Sequence, residues 1–154
     1  MRALSPVRRF GLALALGTLG LAIIATQWPF RYRFAEASVA RRWSRIDWSW
    51  VHRTEAGSII FDRDFALNLM MLVPLGIGFG LWRRAGRGRV LLEAVALGTA
   101  TSVILELGQL VTWRRYTALP DVWRNALGCM VGAMLAIWIL SRSTNDSEQD
   151  RQLA

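Results

Sequence analysis

Four long apolar runs constrain the fold of this chain more than any other feature. They cover about residues 10–28, 65–82, 90–111 and 122–140, and each is long enough to cross a bilayer as an α-helix. The 154-residue chain is 53% hydrophobic and yet carries a formal net charge of +8, because arginine-rich segments separate the runs. This segregation is typical of a polytopic membrane protein. We therefore predict an all-α fold, with four transmembrane helices in a small bundle at residues 10–140.

The two chain ends and the first apolar run complete the predicted organisation. Residues 1–9 carry three arginines and form a predicted cytoplasmic N-terminus, and residues 141–154 form a predicted disordered polar tail. A basic start followed by an apolar centre also fits a cleaved signal peptide. The first run is long for a signal peptide, however, and no Ala-x-Ala site follows it before Pro29. We favour an uncleaved first helix, and the signal peptide stays the alternative.

A polar connection joins the first two runs at residues 29–64. Within it, Val39, Trp43, Ile46 and Trp50 follow one another at offsets of four, three and four. This spacing predicts an amphipathic helix that lies in the membrane interface, with its tryptophans at headgroup depth. An extramembrane loop whose aromatic side chains pack on the bundle would explain the same residues. The sequence leaves both interpretations open.

The distribution of arginines predicts the orientation in the membrane. A count of arginines on the two sides gives a tie. The short hinge between the second and third runs breaks the tie, because it contains four arginines and no acidic residue: Arg83, Arg84, Arg87 and Arg89. We predict that the hinge and both termini are cytoplasmic, in a multi-pass protein of the cytoplasmic (inner) membrane. Glu93, close to the hinge, is predicted to pair with Arg89 or to extend towards water.

Polar residues inside and between the apolar runs mark the candidate site. An ionisable side chain in hydrocarbon costs about 2.5–3.5 kcal/mol on insertion scales, so these residues should face the bundle interior. The predicted topology places all of them at the extracytoplasmic end of the bundle. Glu106 is predicted to pair with an arginine of the loop after the third run. The predicted ligand-binding residues are Asp64, Asn68, Glu106, Gln109, Arg114, Arg115, Asp121 and Asn125.

The residue types that are present exclude several kinds of site. Cys129 is the only cysteine and His52 the only histidine, which excludes an internal disulfide, a His-rich zinc site and a Cys/His metal pair. No glycine-rich phosphate loop follows a strand. We therefore predict no metal and no cofactor. Nucleic-acid binding is not predicted either, because the arginines lie at the ends of apolar runs and not in one patch.

Three segments between about residues 60 and 140 carry a resemblance to a known family. They are Asp64-x3-Asn68-x5-Pro74-Leu75-Gly76, then Glu106-x2-Gln109 followed by Arg114 or Arg115, and finally Asp121-x3-Asn125-x2-Gly128-x3-Gly132. In this order and spacing they resemble the VanZ-like membrane protein family. The resemblance implies a small multi-helix protein of the bacterial cytoplasmic membrane. The founding member of that family is associated with resistance to the lipoglycopeptide antibiotic teicoplanin.

Two classes of function remain open. The first is a non-enzymatic envelope factor, related to glycopeptide resistance, whose polar cavity binds a lipid headgroup, a lipopeptide or a membrane partner. Anionic ligands would suit Arg114 and Arg115. The second is a membrane-embedded enzyme on a lipid-linked substrate, with Glu106 or Asp121 as general acid or base. We favour binding, because no nucleophile or metal site is evident. The predicted partners are membrane lipids, such a ligand, and a second copy of the chain or another membrane protein.

Overall fold

The computed structural model of the protein describes residues 4–50, 63–112 and 117–153, with side chains except at residues 63–64 and 144–153. Six α-helices make up the fold in these ranges, which contain no β-strand. In chain order they are α1 (Pro6–Gln27), α2 (Glu36–Trp43), α3 (Arg63–Met71), α4 (Val73–Trp82), α5 (Arg87–Val111) and α6 (Leu119–Leu153).

Four segments of these helices are long and apolar enough to cross a membrane. They are Pro6–Gln27, Phe65–Trp82, Arg87–Val111 and Leu119–Ser143. Each coincides with one of the four apolar runs, so the prediction of an all-α polytopic membrane protein is confirmed. Because consecutive spans run in opposite directions, the end of α1, the start of α3, the end of α5 and the start of α6 lie at one end of the bundle.

A proline divides the second span into two helices. Pro74 has no N–H to donate to the carbonyl of Met70, and its ring collides with that carbonyl in a continuous helix. Helix α3 ends at Met71, Leu72 leaves the helical region with φ −102° and ψ 5°, and α4 begins at Val73. The N–H of Gly76 then bonds to the carbonyl of Leu72 at 3.1 Å, which restarts the helical ladder.

Glycines bring α4 and α6 into backbone contact at the centre of the bundle. A Cβ atom added to Gly132 would collide with the carbonyl oxygen of Val73, and one added to Gly76 would collide with the carbonyl oxygen of Cys129. Between helices in a membrane, small residues of this kind allow the close van der Waals packing that drives association. The buried core around this contact consists of Ala22, Leu72, Leu75, Val90, Ala94, Leu105, Cys129 and Ala133.

Helix α6 extends well beyond its apolar part. Its backbone stays helical to Leu153, whereas the sequence predicted a disordered tail from residue 141. No glycine or proline follows Gly132 in the chain, so no residue in the tail forces the helix to end.

Residues 30–50, the described part of the connection between α1 and α3, fold over the polar end of the bundle, and we call them the cap. Its N–H and carbonyl groups are bonded to the ends of α5 and α6. The N–H of Arg33 donates to the carbonyl of Val111 at 2.8 Å, and the N–H of Leu119 donates to the carbonyl of Asp47 at 2.8 Å. The Nη1 of Arg42 adds a bond of 2.8 Å to the carbonyl of Leu110.

The predicted amphipathic helix of the cap is present but short. Helix α2 holds Val39 and Trp43 and ends there, so Ile46 and Trp50 lie beyond it. The carbonyl of Trp50 accepts a hydrogen bond of 2.8 Å from the indole Nε1 of Trp123. The short helix is therefore present and leads into a loop that contacts the bundle, while its position in the membrane interface stays a prediction.

Candidate functional site

The fold places the described members of the predicted polar set at the same end of the bundle. Helix α3 carries Asn68, the end of α5 carries Glu106 and Gln109, and the start of α6 carries Asp121 and Asn125. The remaining predictions lie outside the described residues or side chains: Asp64 (side chain), Arg114 and Arg115. The predicted ion pair between Glu106 and one of those arginines is therefore still a prediction.

Glu106 joins α5 to the loop that leads into α6. Its side chain is almost fully buried, with 6% exposed. One carboxyl oxygen, Oε2, accepts the N–H of Ala118 at 3.1 Å, and the backbone carbonyl of Glu106 accepts the hydroxyl of Thr117 at 3.2 Å. Among the described residues, the other oxygen, Oε1, receives a long contact of 3.5 Å from Nε2 of Gln109. Because a carboxyl group can accept several hydrogen bonds, Oε1 keeps acceptor capacity for a ligand.

A second group of polar contacts fastens α5 to α6. The amide Nδ2 of Asn125 donates to the hydroxyl of Ser102 at 2.9 Å, and that hydroxyl donates to the carbonyl of Asp121 at 3.4 Å. Ser102 and Asn125 are both buried. The Oδ1 atom of Asn125 is buried without a hydrogen-bond partner among the described residues. These contacts explain why the two helices carry polar residues at matching depths.

Arg124 is a member of the site that the apolar pattern did not single out. It lies inside the fourth run, and its side chain is buried with 1% of the residue exposed. Its Nη1 donates to Oδ1 of Asp121 at 3.2 Å, and its guanidinium carbon lies 4.9 Å from the centre of the Phe65 ring. An ion pair and a cation–π contact offset part of the free-energy cost of burying a guanidinium group. The spacing in the sequence could have indicated this ion pair, since Asp121 lies three residues before Arg124 on the same helix face.

Gln27, at the end of α1, is a second residue that the sequence did not reveal. Its amide Nε2 donates to the carbonyl of Leu105 at 3.1 Å, and its Oε1 accepts the hydroxyl of Thr112 at 2.7 Å. All three groups are buried. An uncharged residue at a helix end looks like an ordinary loop residue in the sequence. In the fold it ties α1 to α5 beside the site.

A cleft lies between the cap and the ends of α5 and α6. Its volume is about 120 Å³, and Trp43, Trp48, Leu107 and Leu110 contribute apolar walls. Among the residues that line it, Glu106 is the one with an ionisable side chain. Its volume equals that of about four water molecules and is well below the roughly 300–1,000 Å³ of a pocket for a whole small ligand. The cleft can therefore hold a part of a larger molecule, such as one end of an amphiphile.

The described side chains offer no evident place for a metal. No group of three or more His, Cys, Asp or Glu side chains comes together within the described ranges. The chemistry of this end of the bundle is that of carboxyl, amide, hydroxyl and guanidinium groups next to apolar walls.

Comparison with known proteins identifies the family of this chain. A family model described as VanZ/LLP1 matches residues 11–140, a range that includes nearly all of α1, the cap, α3 to α5 and the apolar part of α6. Neither a curated protein nor a solved structure matches the chain. The matched range contains Glu106, Asp121, Arg124 and Asn125, together with the glycines at which α4 and α6 meet. The chain therefore belongs to the VanZ/LLP1 family.

Proposed function

We propose that this VanZ/LLP1 protein is a non-enzymatic factor of the bacterial cell envelope that binds one end of an amphiphilic molecule under its cap. The ligand is a lipid headgroup or a lipopeptide. Membrane lipids or a partner membrane protein surround the protein in the bilayer. We further propose the cytoplasmic membrane as its location, with both termini in the cytoplasm. The cleft then opens on the outer side of the membrane, where an antibiotic such as teicoplanin arrives first.

The observation that carries this proposal is the chemistry of the cleft. Tryptophan and leucine side chains form its apolar walls, and the buried residue Glu106 is among those that line it. Apolar walls favour a hydrocarbon or aromatic part of a ligand, while a carboxyl oxygen with acceptor capacity favours an amine, amide or hydroxyl donor. An amphiphile satisfies both at once. A purely apolar lipid chain would offer no hydrogen-bond donor to Oε1 of Glu106.

The neighbouring polar residues stabilise the helix ends next to the ligand site. Asp121 and Arg124 compensate each other, and Asn125 is bonded to Ser102. The contacts of Ser102 with Asn125 and with the carbonyl of Asp121 hold the start of α6 against α5, close to Ala118, whose N–H donates to Glu106. We assign the direct ligand contact to Glu106 and a supporting role to Asp121.

Complementation of a deletion strain tests the proposal. Glu106→Gln keeps the volume and an acceptor oxygen but removes the charge, and we expect it to abolish rescue of the deletion strain under teicoplanin challenge. Glu36→Gln is the matched control, because Glu36 is an exposed acid in the first turn of α2 and does not line the cleft. We expect this control to complement fully. Fluorescence-detected size exclusion should show equal amounts of folded protein for both variants.

Two outcomes would count against the proposal. If Glu106→Gln and Asp121→Asn both complement fully, the cluster only fastens helices, and ligand binding at this place is wrong. If purified protein turns over a lipid-linked substrate and both variants stop that turnover, the alternative holds, in which Glu106 or Asp121 acts as acid or base.

A further inference from the structure

The end of the bundle opposite the cap carries an excess of positive charge. Among the residues with described side chains, seven arginines lie there against one acidic residue, Glu93, and the extension of α6 adds Asp146, Glu148, Asp150 and Arg151 to the sequence at this end. The seven arginines come from the start of α1, from the hinge between α4 and α5, and from the late part of α6: Arg8, Arg9, Arg83, Arg84, Arg87, Arg89 and Arg142.

Glu93 compensates only two of these arginines. Its carboxylate accepts Nε of Arg83 at 2.6 Å and Nη2 of Arg83 at 2.8 Å, and it also accepts Nε of Arg89 at 2.9 Å. The predicted pairing of Glu93 with Arg89 is thus confirmed, and Arg83 is an additional partner. The hydrogen bond to Glu93 raises the pKa of the Arg83 guanidinium above its ordinary value. Among the acidic residues whose side chains are described, none pairs with Arg84 or Arg87.

A cleft between the hinge and α6 opens at this charged end. Its volume is about 230 Å³, and it is lined by Arg83 and Arg87 together with Val90, Ile137, Leu140 and Ser141. The volume corresponds to about eight water molecules, which is enough for one phosphate group and the glycerol carbons next to it. The cleft therefore has cationic side chains along one wall and an apolar floor.

We propose that this cleft binds the phosphate group of an anionic phospholipid. Arg83 uses two of its five N–H groups on Glu93, and among the described side chains neither its other three nor the five of Arg87 has an acidic partner. The planar guanidinium group matches two phosphate oxygens at once. Val90, Ile137 and Leu140 then contact the first carbons of the acyl chains. This apolar floor favours a lipid over free phosphate, and the site is separate from the cleft under the cap.

Lipid retention in native mass spectrometry tests this proposal. The full-length protein, purified in a non-ionic detergent, is titrated with dioleoyl phosphatidylglycerol or with dioleoyl phosphatidylcholine. We expect the wild type to retain phosphatidylglycerol preferentially. Since one arginine near an anionic headgroup contributes about fivefold in affinity, Arg87→Gln should lower the retention of phosphatidylglycerol by about fivefold. Arg87→Lys should recover part of it, because the charge returns without the planar fork.

Arg84→Gln is the matched control, since it removes the same charge from an exposed hinge residue that does not line the cleft. It should bind phosphatidylglycerol nearly as well as the wild type. Equal losses in the Arg84 and Arg87 variants would mean diffuse attraction and would overturn the proposal, as would equal retention of the two lipids by the wild type. An excess of glycerol 3-phosphate should not displace the lipid, and complete displacement would refute the lipid as the ligand.

Discussion

Replacing Gly132 by alanine tests whether α4 and α6 pack backbone against backbone. The new Cβ would collide with the carbonyl oxygen of Val73 and would lie 2.8 Å from the N atom of Ile77. These are backbone atoms that cannot rotate away. Alanine gains about 1 kcal/mol over glycine in helix propensity, whereas overpacking costs about 1–3 kcal/mol and occasionally more. A clash with a backbone carbonyl should cost about 3 kcal/mol or more, at the upper end of that range. After the gain in helix propensity, we expect the free energy of unfolding to fall by about 2 kcal/mol.

Gly20→Ala is the control for this prediction. Gly20 lies inside α1, and a Cβ added there meets no atom of another described helix within 4 Å, so only the helix-propensity gain remains. Thermal unfolding in detergent, followed by intrinsic tryptophan fluorescence, measures both variants. With about 2–4 °C per kcal/mol for a chain of this size, Gly132→Ala should melt roughly 4–8 °C below the wild type and Gly20→Ala at or slightly above it. A Gly132→Ala variant that melts with or above the wild type would refute the packing.

Two further predictions concern orientation and the buried ion pair. In a Cys129→Ser background, a membrane-impermeant thiol reagent added to intact cells should label Glu36→Cys in the cap and spare Arg87→Cys in the hinge; the opposite pattern would place the cap in the cytoplasm. Asp121→Asn and Arg124→Gln should each lower the free energy of unfolding, and with it the melting temperature. The loss should be less than the about 3–5 kcal/mol of a fully buried pair, because the Asp121 side chain is 21% exposed. The double variant should lose less than the sum of the two, and strict additivity would exclude coupling between these side chains.

The sequence alone determined the number of spans and the end of the bundle at which the polar residues gather. The length of an apolar run decides whether a helix can cross a bilayer, and this property is local. Once four spans alternate in direction, Asn68, Glu106 and Asp121 must lie at the same end, whatever the details of packing. The family resemblance rests on the same residues, and the VanZ/LLP1 match covers residues 11–140.

Only the tertiary structure decided which polar groups touch. Gln27 and Thr112 are 85 positions apart in the chain, and Trp50 and Trp123 are 73 apart, so no local pattern connects them. Arg124 faces inward because the glycine contact between α4 and α6 sets the rotation of α6, and Phe65 then lies beneath its guanidinium group. A charge in an apolar run indicates that some partner exists, but only the meeting of helix faces decides which partner it is.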